Sequence, residues 1–160
     1  MYHPSSRFIG LLMLVFCVHL YAQTPRAFEQ AALISYEAKD YYAAYKYFDR
    51  VLEMEPNRAD IALRCAESAA LYGALAEAER YFDTAIKSNT LTGMKLGGAL
   101  IGMGQIKKNL GKYEEAIALF EQYLSLPSTT ADQKAQTTTE IANCEWAMEK
   151  LTNADPLIQV

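Results

Sequence analysis

Histidine is missing from this chain beyond its N-terminal stretch: the only two, His3 and His19, both precede residue 24. That removes the commonest general base and the commonest metal ligand from everything that follows. Cysteine is scarce as well, with Cys17 in the same stretch and only Cys65 and Cys144 after it. No paired-carboxylate, nucleophile-elbow or cysteine–histidine arrangement is present, so no catalytic residue, metal site or cofactor is expected. A basic excess is also lacking. Of the 15 Lys and Arg residues only Arg7 lies before residue 24, which leaves 14 cations against 19 acids. Such a balance argues against a nucleic-acid binder, which normally carries a basic stripe. No strand-like alternation and no low-complexity linker divides the chain, so it reads as one domain of helices.

The single long apolar run is Phe8 to Leu20 (FIGLLMLVFCVHL), about 13 residues. It is short for a membrane span of roughly 20 residues. Arg7 precedes it and Tyr21-Ala22-Gln23 follows, the layout of a secretory signal peptide over 1–23 with cleavage after Ala22. An uncleaved N-terminal anchor is the alternative. A lipoprotein leader needs a small residue before its cysteine, and Phe16 stands before Cys17. Without the leader no membrane span is expected, and about 138 residues are left, enough for a substantial core.

What is abundant is repetition. Ala44, Tyr47, Phe48 and Asp49 in DYYAAYKYFDRVLEMEPN return 34 residues later as Ala78, Tyr81, Phe82 and Asp83. A third copy, GKYEEAIALFEQYLSLP, sets Ala116 and Phe120 the same four residues apart. A small residue and a ring at fixed places, at this period, mark stacked helix–turn–helix units. Seven helices are expected: Pro25 to Lys39, Tyr42 to Glu55, Arg58 to Tyr72, Leu75 to Ser88, Leu96 to Leu110, Tyr113 to Ser125 and Ala131 to about Thr152. Pro25 suits a first turn, Pro56 stops a helix, and Gly73 and Gly111 suit left-handed caps. Ala78 to Ala116 spans 38 residues, and the four extra ones are placed as a longer loop in SNTLTGMKLG. Small Ala44, Ala78 and Ala116 let paired helices approach, while Phe48, Phe82 and Phe120 fill the space between hairpins. Cys65 and Cys144 fall on helices of different repeats and are expected as two buried thiols, since such repeats touch mainly their neighbours.

The pattern resembles the tetratricopeptide repeat (TPR) family over about Pro25 to Pro127. The second repeat carries Cys65-Ala66, Gly73, Ala78, Phe82 and Ala85; the third carries Leu100, Met103-Gly104, Gly111, Ala116, Phe120 and Tyr123. In the first, Ala32, Ala44, Phe48, Val51 and Pro56 fit, but Ser35 and Lys39 depart from a large apolar residue and a glycine. The resemblance implies an all-α fold, an α-α superhelix of about three TPR hairpins (repeats about 25–58, 59–92 and 97–127) with a C-terminal capping helix over 131–152. In that helix Ile141, Cys144, Met148 and Leu151 form an apolar stripe, with Thr137, Glu140, Glu149 and Lys150 on the other face. It could equally open a fourth repeat, with Trp146 awaiting a partner.

The resemblance also implies a protein partner on the concave face lined by the first helix of each pair. By alignment that face includes Asp60, Leu63, Arg64, Glu67, Ala70 and Leu71 in repeat two, and Ile101, Gln105, Lys108 and Asn109 in repeat three. Some members grip a peptide's C-terminal carboxylates with Lys and Asn on this face; Glu29 and Leu33 stand where such residues should begin, so that clamp looks absent. The glycines of GGALIGMGQIKK match neither a phosphate loop nor a dinucleotide loop and are expected to serve close helix packing. Lys107, Lys108 and Lys112 are expected as solvated helix-end charge, and the tyrosines of DYYAAYKYF as core and rim packing.

More narrowly, the leader ending in YAQ, the DYYAAYKYFDRVLEMEPN run and IANCEWAMEKL resemble the N-terminal repeat region of bacterial envelope proteins. Members of that group continue into a β-propeller and an OmpA-like domain, neither of which falls within these 160 residues, and some serve type IX secretion and gliding. The expectation is therefore a non-catalytic interaction scaffold, exported to the periplasm or the periplasmic side of the outer membrane. The alternatives are a self-assembling spacer, with Trp146 and the 154–160 tail pairing between copies, or a shortened relative of the longer envelope proteins.

Overall fold

The computed structural model describes residues 24–154; the expected leader at 1–23 and all but the first residue of the tail lie outside the described residues. Within them the chain forms seven α-helices and no strand: α1 Pro25–Glu37, α2 Tyr41–Met54, α3 Ala59–Tyr72, α4 Leu75–Lys87, α5 Gly93–Asn109, α6 Tyr113–Leu124 and α7 Ala131–Ala154. Neighbours in sequence are neighbours in space, and α3 additionally touches α5 across the inner side. Short connections of this kind fold the helices into antiparallel hairpins, and stacking those hairpins makes an α-α superhelix.

Local chemistry sets the helix ends. Thr24 Oγ1 accepts from the Ala27 amide at 3.2 Å and Asp40 Oδ1 from the Ala43 amide at 3.0 Å, each satisfying a free donor of a first turn. Thr130 and Gln133 exchange two such bonds at the start of α7, a reciprocal capping box. Gly73 (φ 93°) and Gly111 (φ 73°) take the left-handed conformation between paired helices. In the first hairpin the same duty falls on Lys39, with φ 61°. The departure from glycine seen in the sequence is a conformation held against the steric cost of a Cβ, not a change in the turn.

Ala44, Ala78 and Ala116 are fully buried, and Phe48, Phe82 and Phe120 are buried beside them. The glycines of α5 explain how the rings fit. A Cβ on Gly102 would lie 2.7 Å from Phe82 Cε1, and one on Gly104 would lie 2.8 Å from Phe120 Cδ1. Both rings therefore press against bare helix backbone. The core is divided in two: one cluster runs through α1 to α5, and a smaller one joins Ala116, Phe120 and Cys144 of α6 and α7. Cys65 and Cys144 are buried free thiols.

Four expectations need correction. The extra residues of the third repeat are mostly helix, not loop: α5 starts at Gly93 instead of Leu96 and has 17 residues against 14 in α3. The loop before it, residues 88–92, gains little. In α7 the buried side runs through Thr137 and Cys144, with Ile141 and Met148 half-buried, whereas Leu151 is exposed. Thr137 tolerates burial because its hydroxyl donates to the Gln133 carbonyl at 2.9 Å. Leu151 is exposed because α7, with 24 residues, is twice the length of the 12-residue α6 it packs on.

The lysines are the fourth correction. Lys107 is only 8% exposed and pairs with Glu79 of α4 at 2.8 Å and with Glu115 of α6. Lys112 reaches Glu79 at 3.3 Å, and Lys108 binds Glu140 of α7 at 2.7 Å. What looked like solvated charge is a set of cross-helix ties that join α5 and the turn after it to α4, α6 and α7.

Candidate partner-binding groove

The first helices of the three pairs, α1, α3 and α5, share one side of the array, and a trough of about 260 Å³ runs between them. Its floor is α3, where Asp60, Arg64 and Glu67 follow one another at helical spacing with Leu63 beside them. One wall is Glu29 and Leu33 of α1. The other is Met94, Lys95 and Gly98 of α5. Met94 is 88% exposed, so its thioether stands at the edge with no packing of its own. Gly98 carries no side chain, and a Cβ there would meet nothing within 4 Å. The trough passes over this bare stretch into a second hollow of about 260 Å³, lined by Met94, Gly98, Ile101 and Gln133 among others.

The charges at one end of the trough are already organised. Arg58 makes a two-pronged bond to Asp60, with both contacts at 2.9 Å, a third bond to Glu55 at 2.9 Å and a longer one to Glu29 at 3.4 Å. The Arg58 hydrogen bonds hold the Asp60 carboxyl below its ordinary range despite partial burial. Glu67 differs. Burial pushes its carboxyl above the ordinary range, and the Arg64 guanidinium, 3.5 Å away, pulls it only part of the way back.

The candidate residues read from the sequence divide into two groups. Asp60, Leu63, Arg64 and Glu67 line the trough together, and Ile101 lines the second hollow. Leu71 is exposed near the far end of α3, with Ala70 half-buried next to it. Gln105 and Lys108 are engaged by α7. Lys108, followed by hydrogen bonds from Gln105 and Asn143, holds the Glu140 carboxyl below its usual range. Asn109 is exposed at the last turn of α5. Sequence reasoning missed Met94, Lys95 and Gly98 as groove residues because it placed Met94 and Lys95 in a loop. The signal was there: Met94, Gly98, Ile101 and Gln105 recur at spacings of 4, 3 and 4.

Two tetratricopeptide repeat profiles match the chain, over residues 35–91 and 98–130, together more than half of it. The chain belongs to the tetratricopeptide repeat family. No curated protein matches its sequence. Among solved structures it is similar to the first TPR domain of human RPAP3, at 18% identity and TM-score 0.65, covering 82% of this chain and 97% of that one. The Arabidopsis OM64 TPR domain matches at 16% identity and TM-score 0.64, covering 74% and 94%. The Sgt2 TPR domain from Aspergillus fumigatus matches at 13% identity and TM-score 0.64, covering 82% and 84%. At these identities the likeness shows the fold alone. Domains of this family generally mediate protein–protein interactions as non-catalytic scaffolds. Among the described residues no helix is long and apolar enough to cross a membrane.

Proposed function

We propose that this chain is a non-catalytic scaffold of the bacterial cell envelope that holds a segment of a partner protein on its concave face. The observation that carries this reading is the trough over α3, open between Leu33 and Met94, two large apolar side chains left exposed on facing walls. Exposed apolar surface beside a concavity has no stabilising role in a lone monomer and is the usual mark of an interaction site. The leader read at 1–23 and the resemblance to the repeat region of envelope proteins support placement in the periplasm or at the inner side of the outer membrane.

A photo-crosslinking residue placed at Leu71 on the concave side and, separately, at Thr84 on the outer helix α4 tests this in intact cells. Capture of a partner from Leu71 and not from Thr84 is the expected result; equal capture from both removes the concave-face reading. Recovery of the protein with the cytoplasmic fraction would remove the envelope placement. Trp146, 63% exposed on α7 with Lys150 over its ring at 5.5 Å, favours a second reading, contact between copies. Sedimentation velocity decides it, since a monomer at all concentrations dismisses the spacer.

A further inference from the structure

The three acids that line the trough are not equally satisfied. Asp60 and Glu29 share Arg58. Among the described residues the one cation paired with Glu67 is the Arg64 guanidinium at 3.5 Å, beyond ordinary hydrogen-bond length, and the Tyr36 ring of α1 lies near both. A carboxylate offers about four acceptor positions, and this protein shows elsewhere what a fuller complement looks like: Glu79 accepts from Lys107 at 2.8 Å and from Lys112 at 3.3 Å together. Glu67 has room for a second cation that no side chain of the described chain supplies. Burial raises its carboxyl above the ordinary range, and Arg64 offsets that only in part. The trough around it is lined by Leu33, Leu63 and Met94, with Tyr36 beside Arg64, and the bare backbone at Gly98 allows another chain to come close to α5.

We infer that the trough takes a partner segment presenting a lysine or arginine between apolar residues, the cationic head on the free side of Glu67. The methylene stem of such a side chain lies along Leu33 and Leu63 while its charge stays paired, and an apolar neighbour covers Met94. An acidic segment would set its own carboxylate against Glu67, while Arg58 and Arg64 are already engaged by the acids of the trough. This inference rests on the concave-face reading and adds the chemistry of the occupant.

The test is a titration of the isotope-labelled full chain, followed by amide NMR, with three blocked peptides. They share the form acetyl-Leu-Ala-X-Ala-Leu-amide, with lysine, glutamate or norleucine at X. The lysine peptide is expected to shift the amides of Leu33, Glu67, Met94 and Gly98, and the glutamate peptide to bind about tenfold more weakly or less. Glu67→Gln, its fold checked by an unchanged melting curve, should lose about tenfold for the lysine peptide and nothing for norleucine. Gly98→Leu, which fills the trough without touching Glu67, should weaken both. Equal shifts from the glutamate peptide, unchanged lysine affinity in Glu67→Gln, or no shifts in the trough with any peptide overturn the inference. None of these touches the concave-face reading, which stands or falls on the crosslinks from Leu71 and Thr84.

Discussion

Alanine at Gly104 and alanine at Gly98 make the same chemical change in the same helix, yet they should move stability in opposite directions. Both replace glycine inside α5, so both gain the helix-propensity difference between the two residues, about 1 kcal/mol. At Gly98 nothing opposes the gain, because no atom lies within 4 Å of the new methyl group. At Gly104 the methyl group would sit 2.8 Å from Cδ1 of Phe120 and nearer still to Cε1. Phe120 is fully buried and enclosed by Ala116 and Cys144, so the ring cannot move aside without disturbing the smaller core cluster. Forcing a methyl group into packed space of this kind costs about 1–3 kcal/mol. The backbone contribution is common to both variants, so the difference between them isolates the collision. For a chain of this size it corresponds to a gap of roughly 4–12 °C in melting temperature. Thermal unfolding followed by circular dichroism measures it, with Gly98→Ala above the parent protein and Gly104→Ala below Gly98→Ala by that margin. Trimming the ring in a Gly104→Ala, Phe120→Leu double variant should return part of the loss. If Gly104→Ala melts with or above Gly98→Ala, the account of α5 as a helix stripped for close ring packing is wrong.

Lys39→Gly relieves the positive φ of the first hairpin turn, where the side chain is exposed, and should raise stability by about 0.5–1 kcal/mol in urea unfolding. Burial pushes the Cys65 thiol up to about 12 and raises Cys144 as well, so iodoacetamide should leave both unmodified in the native protein and label both in urea, as read by peptide mass mapping. Hydrogen bonds from Lys107 hold the Glu79 carboxyl, and those from Lys108 the Glu140 carboxyl, below their ordinary value near 4.5. The unfolded chain then takes up protons first as the pH falls through that value, so the stability these pairs contribute is present at neutral pH and is lost below about pH 4.5. Glu67, whose pKa is raised, opposes the trend in the same region. The urea midpoint should therefore drop in acid, and Glu140→Gln should flatten the drop.

The repeat frame was legible because it rests on residue types that have few substitutes. A position that must be small and a position that must hold a ring recur as Ala44 and Phe48, Ala78 and Phe82, Ala116 and Phe120, and all six are buried as their spacing implied. Helix ends marked by Pro25, Gly73 and Gly111 were legible for the same reason. The start of α5 was not, because Gly93, Met94 and Lys95 carry loop-like chemistry while forming an additional helical turn. Half of the groove was legible, from Asp60 to Glu67, since one helix with a known inner face fixes which residues share it. The roles of Lys107 and Lys108 were not. Their acids lie on other helices, 28 residues before and 32 residues after, and no local pattern announces a pairing at that distance.

The division of the core gives these ion pairs a wider meaning. The larger cluster ends within α5, and the smaller one joins α6 to α7 through Phe120 and Cys144. Leu119 of α6 packs on the larger cluster and Ile101 of α5 on the smaller, and two ion pairs cross the seam, Lys107 to Glu115 and Lys108 to Glu140. A repeat array unfolds from its weakest interface, because each unit leans only on its neighbours. Here the smaller cluster has only Ala116, Phe120 and Cys144 fully buried, so the two ion pairs are a larger share of what holds α6 and α7 in place. Hydrogen exchange should accordingly show α6 and α7 opening before α1 to α4, with the gap widening when added salt or acid weakens the pairs. Uniform protection across the seam under those conditions would mean that the two clusters act as one core and that the lysines are incidental to it.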